Sequence, residues 1–316
     1  ERLFGVPGPN WVSPTGAAAL LGRTGSETVP LSWLPALPTP VAGEKGIASM
    51  KVWTRLAFLQ VFINVVNDAS LAGLARQAVA ELMRHLEWRI AQARSLPRSD
   101  ETLLHCLVAL GDEPQRFGLD QGAYDQHMRL ILAELVVGGV ETVNKALANV
   151  VDFALDRPDV LAELQAAAQE ANDGRPDADE WLDALVREAL RFAPVSPVLF
   201  RRASRATTIG ATNVPEGMVV CLLVDAALKD RDVFPNPDDF DFKRPAELYL
   251  HFGDTQPGSA PHRCLGQELA TAELRELVKA VFSLGGLRRA AGRAGEKREE
   301  QLLASSLTIR FDRAGG

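Results

Sequence analysis

The chain has 316 residues, 47% of them hydrophobic and 24% charged, which is enough apolar mass for a real core and excludes a disordered chain. Its net charge of −7 argues against a general nucleic-acid binder. The three cysteines, Cys106, Cys221 and Cys264, make a poor disulfide framework, suit a reducing, cytoplasmic setting, and lack the spacing of a zinc site.

Residues 1–48 are rich in Gly, Pro, Ser and Thr and predict extended structure and turns. From about Ser49 to Leu110 the pattern is helical, with Leu71, Leu74, Ala75, Ala78, Val79 and Leu82 at helical spacing, and Gly111 and Pro114 end it. One long helix is predicted over 121–156, another from Pro158 to Asn172, and a third from about Asp177 to Phe192, stopped by Pro194. Val198 to Val224 alternates, is β-branched and turns at Pro215-Glu216-Gly217, which predicts short strands. A loop over 231–262, a helix after Cys264 and a strand-like tail from Leu302 to Phe311 complete a mainly α chain with a small β component. No membrane span is expected, since the best apolar run, Leu56 to Val66, is about half of what a bilayer needs. Glu1 to Gly8 shows no basic-then-apolar leader pattern.

Four constellations could carry chemistry. Cys264 lies where a loop leads into a helix, and a thiolate at a helix N-terminus is stabilised by the dipole and by free N–H groups. Gly266 would let the backbone approach a flat partner. The alternative is an ordinary buried cysteine. Gly138 and Gly139 interrupt a long apolar helix at a cost on the order of 2 kcal/mol, which asks for a ligand or a distorted turn there. Glu141 and Thr142 beside such a turn could hold water and relay protons; the alternative is a close helix crossing. Glu188 and Arg191 are spaced for an ion pair, but Glu81/Arg84 and Glu113/Arg116 share that spacing, and most such pairs are solvated. Arg201, Arg202 and Arg205 suit carboxylates or form an exposed basic edge.

Order and spacing go further than any single feature. Glu188-Ala-Leu-Arg191 leads to Pro194 and Pro197, then Phe200-Arg201-Arg202, Val214-Pro215-Glu216-Gly217, the run from Phe234 to Pro245, and His262-Arg263-Cys264-Leu265-Gly266. This series, from about Leu71 onward, resembles the cytochrome P-450 family, and Gly138 to Thr142 falls where that family has its long distal helix. The resemblance implies a heme-thiolate fold with a reduced N-terminal side, in which 1–70 is an abbreviated substrate-access region and 71–316 the heme-binding core of a single domain. It implies heme b, with Cys264 as axial ligand to the iron. Arg201 (or, one register on, Arg202) and His262 would contact propionates, and Gly138 and Gly266 would lie against the cofactor. Thr142 and Glu141 would deliver protons. Glu188, Arg191 and Arg244 would form a structural set.

The activity implied is activation of O2 and insertion of one oxygen atom into an apolar organic substrate. Leu135, Val136 and Val137 are candidates to line that site. No GxGxxG motif is present, so electrons would come from a separate ferredoxin or flavodoxin with its reductase. Two features depart from the pattern. The family's Phe and Gly, seven and four residues before the cysteine, are Pro257 and Ala260 here, and Phe252-Gly253 lies further upstream, as if the loop were longer. The chain before Gly138 is short and has no WxxxR pair for a propionate. The tail from Leu287 to Gly292 and from Leu307 to Phe311 resembles the heme-thiolate half of fused fatty-acid dioxygenases. A hydroperoxide isomerase or peroxygenase is therefore the second expectation, and a non-catalytic heme- or ligand-binding module the third.

Overall fold

The computed structural model describes residues 44–64, 68–97, 102–253, 263–300 and 303–312. They fall into two compact units, a first ending at Glu141 and a second beginning at Thr142.

In the first unit, α1 (Glu44–Phe58) begins a few residues earlier than expected and ends in a π turn, Leu59–Ile63. It packs on α2 (Ala69–Ser95), whose first turn is capped by the Asp68 carboxylate accepting from the Leu71 N–H at 2.7 Å. α3 (Leu103–Leu110) is capped in the same way by Thr102. The single helical stretch expected over 49–110 is thus three helices. Asn64 closes α1, its side-chain amide bonded to Gln60 and to the Asp68 carbonyl, and this local polar closure overrides the apolar period.

α4 (Gln121–Leu155) is α-helical throughout and runs through the division between the units. In the second unit its C-terminal half joins α5 (Pro158–Asn172), α6 (Ala178–Phe192) and α8 (Gln267–Phe282) around one core. Val150, Leu164, Leu182, Leu185 and Val278 are fully buried there. Pro158 stands in the first turn of α5, where its missing N–H is not needed.

Among the described residues the β component is four antiparallel pairs. β1 (Val198–Arg202) pairs with β4 (Val219–Leu223), Phe200 opposite Cys221, and β2 (Thr207–Ile209) pairs with β3 (Thr212–Val214). Gly217, at φ 79°, supplies the left-handed position in the turn before β4. A short α7 (Val224–Ala227) follows. Near the end, β5 (Arg288–Arg289) pairs with β8 (Ile309–Arg310), and β6 (Arg298–Glu300) with β7 (Leu303–Ser306). Among the described residues no helix is long and apolar enough to cross a membrane.

Candidate functional site

The polar centre of the second unit is the fork on α6. Glu188 and Arg191 are both 0% exposed. Arg191 donates through Nε to Glu188 Oε2 at 2.9 Å and through Nη2 to Oε1 at 2.8 Å. Its remaining donors reach the carbonyls of Leu228, Pro237 and Asp239 at 3.1, 2.8 and 3.0 Å. All five guanidinium hydrogens are therefore used. Glu188 is filled as well: Oε1 also accepts the Asp241 N–H at 3.0 Å, and Oε2 the Tyr249 hydroxyl at 2.7 Å. Arg244 stands with Nε 3.5 Å from Glu188 and donates to the Pro235 and Asn236 carbonyls. The structure thus brings Glu188, Arg191 and Arg244 together, and the fork holds the loop over 228–244 in place.

Sequence reasoning missed two members of this region. Tyr249 is buried, and burial together with the Glu188 carboxylate it donates to pushes its phenol well above the ordinary range. His251 Nε2 lies 2.8 Å from the Arg187 carbonyl, which can only accept, so Nε2 carries the proton. Burial, the first cause, and the Arg187 charge bring its pKa down to about 4, against the hydrogen bond to the Arg187 carbonyl. Tyr249 is extended and His251 opens a turn, so no periodic pattern in the sequence marked either residue.

Cys264 is exposed, two residues before the Gly266 N-cap of α8. Its N–H donates to the Phe252 carbonyl at 2.9 Å. Despite the longer loop, Phe252-Gly253 is therefore the segment paired with the cysteine. Gly253, at φ 91°, turns the chain there with a conformation that favours glycine. His262 lies outside the described residues.

β1 separates the two arginines whose register the sequence left open. Arg201 is exposed and donates to the Phe200 carbonyl. Arg202 is half-buried and donates Nη1 to the Gly217 carbonyl at 2.9 Å, while its buried Nε and Nη2 have no hydrogen-bond partner among the described residues. Two adjacent buried donors without acceptors match the two oxygens of a carboxylate. An exposed cysteine before a helix and a guanidinium edge with two donors side by side fit a heme with its propionates.

On α4, a Cβ built on Gly138 or Gly139 would meet nothing within 4 Å. The helix has no widened turn there, and among the described residues no close helix crossing meets the glycines. Glu141 is buried; burial raises its pKa, and Arg55 and Lys51 on α1 hold the rise back. Thr142 is half-buried on the next position. Further along α4, in the second unit, Lys145 is 3.7 Å from Glu299, and Lys297 donates to Asn149 at 2.8 Å, so β6 is tied to the helix by charged and polar contacts. Sequence reasoning did not find this tie, whose ends are about 150 residues apart.

The family profile of Cytochrome P450 matches residues 47–283. A putative cytochrome P450 123 of Mycobacterium tuberculosis is 32% identical over 208 residues, covering 66% of this chain and 46% of that protein. The Cyclomarin C epoxidase CymV of Salinispora arenicola is 30% identical over 203 residues, covering 64% of this chain and 45% of that protein. The chain spans about half the length of these curated relatives. Among solved structures, ligand-free CYP164A2 of Mycobacterium smegmatis superposes with a TM-score of 0.64 at 25% identity, over 92% of this chain and 71% of that one. Built around a buried Glu188–Arg191 fork and a cysteine before α8, and matched over most of its length by that profile, the chain belongs to the cytochrome P450 family.

Proposed function

We propose that this chain carries the heme-thiolate centre of a monooxygenase that uses O2 and places one oxygen atom on an apolar organic substrate. Bound heme b would supply the oxygen-activating redox chemistry. Cys264 would hold the iron through its thiolate, and Arg202, with Nε and Nη2 presented together, would hold a propionate. The exposed register neighbour Arg201 and the basic ring of His262 are the remaining propionate candidates. Glu188, Arg191 and Arg244 keep the preceding loop in shape.

The observation that favours oxygen over hydroperoxide as oxidant is Glu141. A buried carboxyl whose pKa is raised by desolvation keeps its proton to higher pH, and Thr142 stands beside it. A retained proton of that kind is what oxygen activation needs and hydroperoxide isomerisation does not. Electrons would come from a separate ferredoxin or flavodoxin with its reductase. The sparse, odd count of three cysteines, a poor disulfide framework, favours the cytoplasm. One relative is an epoxidase, so oxygen transfer to a double bond is a form this chemistry can take.

The test is the absorption spectrum of the reduced protein under carbon monoxide. The red-shifted Soret band of a thiolate-ligated heme is expected, with loss of that band in Cys264→Ala. In reductase-driven turnover, Thr142→Ala should raise the share of electrons lost as peroxide by about ten-fold. Unchanged coupling would favour the peroxygenase or isomerase reading. A heme without the thiolate band, and no turnover with any oxidant, would favour a non-catalytic heme-binding module.

A further inference from the structure

We propose that Tyr249 and His251 are positioning residues for Cys264, fixing the segment against which the cysteine backbone is held. The proposal rests on the reading of Cys264 as the heme ligand. It starts from the way Cys264 is suspended. Downstream, α8 is bound to α6 through its buried face and through Arg275, which donates to Asp183 and lies 3.4 Å from Asp179. Upstream, the amide of Cys264 rests on the Phe252 carbonyl, across a loop longer than the family pattern. The position of the sulfur therefore depends on where residue 252 is placed.

Phe252 is placed from α6 as well. Three residues before it, the Tyr249 hydroxyl bonds Glu188, and one residue before it, His251 bonds the Arg187 carbonyl. The two rings lie 5.4 Å apart, with the Arg187 guanidinium 5.6 Å from the Tyr249 ring. Phe234 closes the other side edge-on at 5.8 Å. Two polar bonds to adjacent residues of one helix fix both the height and the rotation of this segment. Gly253 then turns the chain away, its N–H donating to the Leu250 carbonyl at 3.2 Å. Both arms of the cysteine thus refer to α6, and groups that orient a metal ligand from behind tune the metal as well.

The test uses the heme-loaded chain and its apo form. The variants are Tyr249→Phe, His251→Leu and His251→Gln, with Val160→Ala in the core of α5 as a control for general destabilisation. In the ferrous–carbon monoxide spectrum, Tyr249→Phe and His251→Leu should move amplitude from the thiolate band to the neutral-ligand band. They should also speed heme transfer to an apo-globin acceptor by about ten-fold. His251→Gln, which keeps a donor, should restore both readouts, and Val160→Ala should change neither. In the apo form, hydrogen exchange at the Cys264 amide should quicken in the first two variants only. Spectra and exchange that match wild type at equal loss of melting temperature would reduce both residues to packing and overturn the proposal. If wild type shows no thiolate band, the heme-ligand reading fails and the apo exchange measurement still decides whether Tyr249 and His251 hold residue 264. If Tyr249→Phe does not accumulate, His251→Leu, whose bond is to backbone, decides it alone.

Discussion

Two helical regions carry the same Glu-x-x-Arg spacing and use it in opposite ways. Glu113 and Arg116 stand 3.4 Å apart at 61% and 67% exposure, in water on both sides. Glu188 and Arg191, 0% exposed, have every donor and nearly every lone pair committed to protein. The buried pair attracts more strongly but desolvation offsets the gain, so the net contributions can be similar; what differs is the consequence of breaking the pair. An exposed partner left alone is rehydrated, whereas a buried one keeps its desolvation penalty. The spacing is a local property, and its meaning is set by what the rest of the chain lays over it.

The largest expected effect follows directly. Glu188→Ala leaves the Arg191 guanidinium buried beside three carbonyls and no anion, and should cost about 3–5 kcal/mol in denaturant unfolding. A loss under about 1 kcal/mol would erase the contrast between the two regions.

Next comes pH. The His251 pKa lies near 4 in the fold, below the ordinary 6.5. Its contribution to stability is therefore fully present above pH 6.5 and is lost as pH falls toward 4, by about 3 kcal/mol. Urea midpoints across that window should fall in wild type and flatten in His251→Gln, which cannot titrate. Equal slopes would show that the imidazole is already hydrated.

Tyr249→Phe removes one donor to a charged acceptor and should cost about 1.5–3 kcal/mol in the same assay. The smallest effect belongs to the exposed pair. Glu113→Gln should shift stability by less than about 0.5 kcal/mol, and a larger loss would mean that the surface pair anchors something.

The helices of the second unit were legible because their periodicity, Pro158 and Pro194 are local signals. The Glu188–Arg191–Arg244 set was legible only through resemblance, since nothing in the spacing separates it from Glu113/Arg116. Tyr249 and His251 were not legible because their partners lie 61 and 64 residues away. Arg202 against Arg201 was open because a strand turns consecutive side chains to opposite faces, and a sequence does not say which face is inward. The break at Asn64 was hidden by an apolar period that continues on either side of it.

The Arg191 fork also sets an order of events at the ribosome. Its side chain is synthesised with α6, but the carbonyls that complete it belong to residues 37, 46 and 48 positions later. At about 5–20 residues per second this is a wait of several seconds. During that interval the nascent helix presents a charged pair that only water can satisfy. The loop over 228–244 must therefore close onto a helix already made, and a stall before Asp239 should leave a chain that chaperones recognise as unfinished.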